Sequence, residues 1–421
     1  MKLNSNHYLA LIVALTAGCS SKNGVEGTNT DQNITNPDDL YAGFHVATGD
    51  GGLDSQKGGK QQLTSEQYVK LTTAACSKWT RQGEKVPTSI EFVVDVSGSM
   101  LSTAPTTADQ TKWAITKAAL GNAIDALPSS TGVGMLFFPN RATTPNTTGE
   151  AQPVSNCLNT DAMIPLVLLG AAGSGQRVAL ANGLASATPA GGTPTHDAYD
   201  YALSRNGLID GGEHPGHRYM VLITDGQPTI SKGCVGTGET NYPVDYHPIV
   251  AEIATADSSG VRTFVIGAPG SERNDATNED VRYWLSEAAR TGGTSVTPDC
   301  SDTGTPNYCH FDMSTAPDFA AGFTNALTSI ASQVASCSYS VPLPAQGQTL
   351  DLDKINVILT TAAQEYYLML RAGSSDCTEG WYLDGDKNVV LCSDTCKQIR
   401  SDNPASLNLL FGCATFANPL T

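Results

Sequence analysis

The chain has 421 residues, enough for one large domain and a smaller one. Its formal net charge of −17 argues against nucleic acid or an anionic membrane surface as a partner. A hydrophobic content of 40% supplies a core, while 41 glycines and 22 prolines imply many turns and long loops.

Met1 to Cys19 reads as an export signal of the bacterial lipoprotein kind. Lys2 supplies the charge and Tyr8 to Leu15 the short apolar run. Thr16-Ala17-Gly18-Cys19 resembles the small-residue cleavage box that precedes a lipidated cysteine. The run is too short to span a membrane, so membrane contact is expected only through lipid on Cys19. Ser20, in place of Asp, resembles lipoproteins sent on to an outer membrane. The expected location is therefore the cell envelope, on a periplasmic or surface face. From Ser20 to Leu63 the chain is rich in Asn, Asp, Gly, Ser and Thr and too poor in apolar residues to order itself, which predicts a flexible tether.

Ten cysteines remain beyond Cys19: Cys76, Cys157, Cys234, Cys300, Cys309, Cys337, Cys377, Cys392, Cys396 and Cys413. An even number in an exported chain reads as disulfides, with the pairing left open. Cys392-x-x-x-Cys396 has no second pair of matching spacing, so disulfides are favoured there over a zinc knuckle.

In chain order, Glu66 to Thr80 predicts a short helix held through Cys76. Ile90 to Val94, broken only by Glu91, is an apolar run of the kind a parallel strand covered on both faces requires, and it ends in Asp95-Val96-Ser97-Gly98-Ser99. Thr111 to Leu127 places Trp113, Leu120, Ile124 and Leu127 on one helical face. Gly132 to Phe138 and Ile164 to Leu169 are further strands, separated by a polar loop carrying Cys157. Helices are predicted over Arg177 to Ala187 and Thr195 to Ser204, with a tight turn, Pro189 to Pro194, between them. Tyr219 to Thr224 is the next strand, followed at once by Asp225-Gly226. A helix over Pro248 to Ser259, a strand over Arg262 to Ile266 and a helix over Asn278 to Thr291 come next. Thr294 to Val296 reads as a short edge strand, Pro298 to Met313 as a loop stapled by Cys300 and Cys309, and Pro317 to Ala335 as an amphipathic helix. This alternation predicts an α/β fold, a doubly wound and mostly parallel sheet. After Cys337 the helical period disappears. Ser338 to Pro342, Ile355 to Thr360, Glu365 to Arg371, Val389 to Cys392 and Leu407 to Phe411 read as short strands of a β-rich, disulfide-stapled module. The expected organisation is a signal over 1–19, a tether over 20–63, the α/β domain with an N-terminal extension over 64–336, and the C-terminal module over 337–421.

The chemistry gathers at strand ends. In the commonest doubly wound order the first and fourth strands are neighbours, and ligands bind in the crevice at their C-terminal ends. Asp95 and Asp225 stand at those two ends. Gly191-Gly192-Thr193-Pro194-Thr195, a tight turn entering a helix, can add a hydroxyl. Carboxylates and hydroxyls are hard oxygen donors, suited to Mg²⁺, Ca²⁺ or Mn²⁺.

The strings D-V-S-G-S-M, G-G-T-P-T and I-T-D-G resemble the three parts of the metal-ion-dependent adhesion site of von Willebrand factor type A domains. The resemblance covers about Pro87 to Cys337. It implies that Ser97, Ser99 and Thr193 contact a metal through their hydroxyls, and that Asp95 and Asp225 act mostly through coordinated water. Mg²⁺ is the implied ion, with Ca²⁺ or Mn²⁺ able to substitute. It further implies metal-dependent protein binding or adhesion, in which an acidic side chain of the partner completes the metal shell. The alternative reading is an envelope scaffold whose metal mainly stabilises the domain.

Other strings carry less. His214-Pro-Gly-His217 has no clear third ligand. Asp384-Gly-Asp386-Lys-Asn388 begins like an EF-hand loop, but Val389 stands where glycine is required, so a hairpin turn is expected. His196, Asp197 and Asp200 belong to the first turn and polar face of a helix. Neither a Gly-x-Ser-x-Gly elbow nor a Walker-type string occurs, and no enzymatic activity is expected.

Overall fold

Thr88–Asp95 (β1) is buried at every position, the condition under which a strand needs no polar face. The computed structural model describes residues 45–46, 59–69, 71–72, 79–104, 109–239, 242–274, 278–314, 316–334, 337–341, 351–361, 363–385, 387–401, 406–411 and 416–418. The signal, Cys19, most of the expected tether, Cys76 and Cys413 lie outside them.

Lys112–Ala126 (α1) follows β1, with the Thr111 hydroxyl accepting from the Ala114 amide as its N-cap. The alternation continues through Thr131–Phe138 (β2), Ile164–Leu168 (β3), Gly175–Ser186 (α2), Thr195–Arg205 (α3) and His217–Thr224 (β4). It closes with His247–Ser258 (α4), Val261–Gly267 (β5), Val281–Thr291 (α5), Phe311–Asp312 (β6) and Phe319–Val334 (α6). The six strands form one sheet in the order β6-β5-β4-β1-β2-β3, parallel throughout except for β3, which runs antiparallel to β2. This is the doubly wound sheet expected, with β1 and β4 adjacent where the order reverses.

Strand periodicity sends alternate side chains to opposite layers. Ile90, Phe92 and Val94 pack with Trp113, Leu120 and Ile124 of α1 and with Phe319, Phe323, Leu327 and Ile330 of α6. Val93, one position out of step, packs with Tyr199 and Ala202 of α3, Ile249 and Ile253 of α4, and Trp284 and Leu285 of α5. Helices thus cover both faces of the sheet.

Two expectations along this stretch need correction. Thr294–Val296 is not a strand: the Thr294 amide donates to Ala289 O at 3.0 Å and closes the end of α5, after Gly293 turns the backbone at φ +70°. The edge strand is instead β6, delivered by the Cys300–Cys309 loop and paired to Ile266 and Gly267. Of the helix expected over Glu66 to Thr80, Ser65–Val69 is helical, whereas Trp79–Gln82 is a strand.

The strand-like runs after Cys337 do form strands, in two sheets, and Trp381–Leu383 adds one that the sequence pattern hides. Ser393–Ser401 is a helix where none was expected. Segments from before the α/β sheet complete both sheets. Lys60–Gln62 pairs with Glu365–Leu368, Trp79–Gln82 with Ser406–Phe411, and Glu84–Lys85 with Ser338–Ser340. Among the described residues, the strands of the N-terminal extension therefore pair with the C-terminal strands and not with the α/β sheet, and Lys60–Gln62, near the end of the expected tether, is a strand. Disulfides Cys337–Cys396 and Cys377–Cys392 staple this β-rich part, and Cys157–Cys234 ties the loop after β2 to the segment after β4. Among the described residues no helix is long and apolar enough to cross a membrane.

Candidate metal centre

Three loops meet at the C-terminal ends of β1 and β4. Backbone hydrogen bonds fix their register: Val96 N donates to Phe138 O at 2.7 Å, Ala190 N to Val96 O at 2.9 Å, and Gly98 N to Gly191 O at 3.0 Å. The Gly-Gly turn is required by geometry. Gly191 has φ +76°, and a Cβ there would lie 2.7 Å from Arg141 O; one on Gly192 would lie 2.8 Å from Thr229 Oγ1. The turn presents Thr193, which Thr229 holds from both sides: Thr193 N donates to Thr229 Oγ1 at 2.7 Å, and Thr229 N to Thr193 O at 3.0 Å.

Asp95 is fully buried. Its Oδ1 accepts from Ser97 N and its Oδ2 from Thr224 Oγ1, each at 2.7 Å. Burial, reinforced by the nearby charge of Asp225, raises its pKa to about 7, against the pull of the Ser97 and Thr224 donors. The hydroxyls of Ser97 and Ser99 lie 2.9 Å apart, and Ser99 Oγ donates to Asp225 Oδ1 at 2.7 Å. The other Asp225 oxygen accepts from the buried Lys112 ammonium, which also donates to Pro269 O at 2.8 Å. Ser99, Thr193 and Asp225 line a cavity of about 210 Å³, with Lys112 in its wall and Arg273 and Asn274 at its rim.

The five residues read from the sequence are thus brought to one place. Their donor set is all oxygen: two carboxylates, the Ser97 and Ser99 hydroxyls within hydrogen-bond distance of each other, and the Thr193 hydroxyl. That set fits a hard divalent cation and suits neither a thiolate-seeking nor an imidazole-seeking metal. Ser97, Ser99 and Thr193 would offer hydroxyls, and Asp225 its Oδ1.

Sequence reasoning missed Thr224, Thr229 and Lys112. The two threonines act through donors and acceptors whose partners arrive from other loops. Lys112 did leave a signal: a lysine in the first turn of a helix stands against the helix dipole.

The remaining candidates fall elsewhere. His217 opens β4, at the end of the sheet away from Asp225, and the described residues contain no group of three His, Cys, Asp or Glu able to hold a metal. Asp384 and Asn388 lie between the paired strands Trp381–Leu383 and Val389–Leu391, with Asp384 Oδ1 accepting from Asn388 N at 2.8 Å; Asp386 lies outside the described residues. His196 lies 2.8 Å from Glu252, and Asp197 accepts from the Gly233 and Cys234 amides at 2.8 Å each. Asp200 stands 3.4 Å from Lys232, so all three acidic and basic groups at the start of α3 serve its polar contacts.

No family model and no curated protein matches the chain. Several solved structures resemble parts of it. An aerotolerance-related membrane protein of Bacteroides fragilis is 19% identical over 48% of this chain and 87% of its own, with a TM-score of 0.29. The pilus adhesin SpaC of Lactobacillus rhamnosus GG is 14% identical over 79% of this chain, which spans 40% of the adhesin, with a TM-score of 0.41. The manganese-loaded TRAP protein of Plasmodium vivax is 17% identical over 53% of this chain and 68% of its own, with a TM-score of 0.31. The strand order, and the meeting of the three motifs at the point where that order reverses, give residues 88–334 a von Willebrand factor type A-like fold.

Proposed function

We propose that this chain is an exported, lipid-anchored protein of the bacterial cell envelope that binds a protein partner through a divalent cation. The observation that carries the reading is the Ser97–Ser99–Asp225 oxygen chain, with contacts of 2.9 and 2.7 Å, opening on the cavity that Thr193 also lines. Mg²⁺ is the first choice, because a small site with few protein ligands leaves room for coordinated water; Ca²⁺ or Mn²⁺ would substitute. When bound, the cation would supply an open Lewis-acidic position for an acidic side chain of the partner.

The surrounding groups favour binding over catalysis. Lys112 is held by Asp225 and Pro269, and both Asp95 oxygens accept hydrogen bonds, so neither stands ready as a base or nucleophile. Lipid on Cys19 would hold the domain at a membrane, with the intervening residues setting its reach. The reading is tested by capturing partners from envelope extract on residues 20–421, in Mg²⁺ and in EDTA, beside Asp95→Ala. A partner retained only by the unaltered protein in Mg²⁺ supports it. Retention in EDTA and by a folded Asp95→Ala protein contradicts it.

A further inference from the structure

We propose that Lys112 is a fixed counter-charge that makes cation binding at this site depend on an anionic ligand; the proposal rests on the metal-centre reading above. Lys112 is 3% exposed, a position ammonium groups seldom take without a partner. Its Nζ donates to Asp225 Oδ2 and to Pro269 O. It reaches them from the first turn of α1, where the helix's free N–H groups already create positive potential. The helix gains nothing from the charge there, so the stabilisation comes from Asp225. Gly270 makes the space: at φ +115° a Cβ would lie 3.0 Å from Nζ and 2.8 Å from Asp225 O.

The charge count follows from these contacts. With both carboxylates ionised, Asp95 and Asp225 bring −2 and Lys112 brings +1, which leaves the site at −1. A divalent cation brings it to +1, and one incoming carboxylate brings it to neutrality. Without Lys112, the two aspartates alone would balance the cation, and an added carboxylate would leave an excess negative charge. Lys112 therefore weakens binding of the bare cation and strengthens binding of the anion that follows. It does so without blocking the site, because Asp225 Oδ1 still faces Ser99 Oγ at 2.7 Å. Arg273, exposed at the rim of the same cavity, adds positive charge at its mouth.

The test measures free Mn²⁺ by electron paramagnetic resonance during titration of the full chain, at constant ionic strength, with and without acetate. Protein-free controls give the acetate complexation of Mn²⁺, and thermal melts report folding. Lys112→Gln and Lys112→Met remove the charge, and Lys112→Arg keeps it. Acetate is expected to tighten Mn²⁺ binding by the wild type. The uncharged variants are expected to bind Mn²⁺ about tenfold or more tightly without acetate and to lose most of the acetate response, while Lys112→Arg behaves as wild type. Uncharged variants that bind no more tightly than a wild type that does bind overturn the role of Lys112 alone. A wild type indifferent to acetate also overturns it, and that arm needs no variant to fold. Absence of Mn²⁺ binding in every protein overturns the metal-centre reading as well.

Discussion

Glu91 interrupts the apolar run of β1, and its carboxyl group is fully buried with no donor in hydrogen-bonding geometry to either oxygen. Gly134 makes room for it, since a Cβ there would lie 1.9 Å from Oε2. Burial pushes its pKa well above the ordinary 4.5, with the Asn206 side chain opposing part of the shift. The sign follows by linkage. Above about pH 4.5 the unfolded chain releases a proton that the folded chain keeps, so this group lowers stability progressively as pH rises toward its folded pKa. Glu91→Gln removes that dependence. Its stability relative to wild type should rise from pH 4.5 toward neutrality in denaturant titrations, and a difference independent of pH would contradict this. Individual residues were legible in the sequence where they terminate an apolar run, as Asp95 and Asp225 do. Thr224 was hidden for the opposite reason. It sits inside its strand's run, and only the adjacency of β1 and β4 shows that its hydroxyl reaches Asp95.

At the scale of elements, long runs were legible and short ones were not. β1, β2 and β4 are each eight residues and apolar enough to be recognised without partners. Phe311–Asp312 and Trp381–Leu383 are strands only because Val261–Gly267 and Val389–Leu391 lie beside them, a tertiary condition that no local pattern encodes. The N-terminal strands were missed similarly: Lys60–Gln62 carries no apolar side chain and owes its form to Glu365–Leu368. The Gly-Gly turn is the converse case, in which local chemistry dictates the element. Gly191→Ala would force a Cβ against Arg141 O in a left-handed backbone and loosen the turn that carries Thr193. The expected result is a loss of about 1–3 kcal/mol of stability together with weaker cation binding. Denaturant unfolding and calorimetry would measure the two, and a variant with unchanged values in both would show that the turn does not set the site.

At the scale of the whole molecule, the sheet's strand order turns three separate motifs into one site. The sequence contains Asp95, Ser97, Ser99, Thr193 and Asp225 as scattered pieces spanning 130 positions, and the reversal of order between β1 and β4 is what assembles them. The sequence pattern makes the β-rich part look purely C-terminal, because pairing between distant segments cannot be seen in either segment alone. Yet its sheets take strands from both sides of the α/β domain, so the chain enters and leaves that domain through the same stapled body. The central claim is that the five gathered oxygen-bearing residues hold one divalent cation. Isothermal titration of Mg²⁺, in acetate buffer, into residues 20–421 and into Asp225→Ala, with folding of both checked by thermal melts, tests it directly. One Mg²⁺ per chain is expected in the first and none in the second; no binding to either, or equal binding to both, would contradict it.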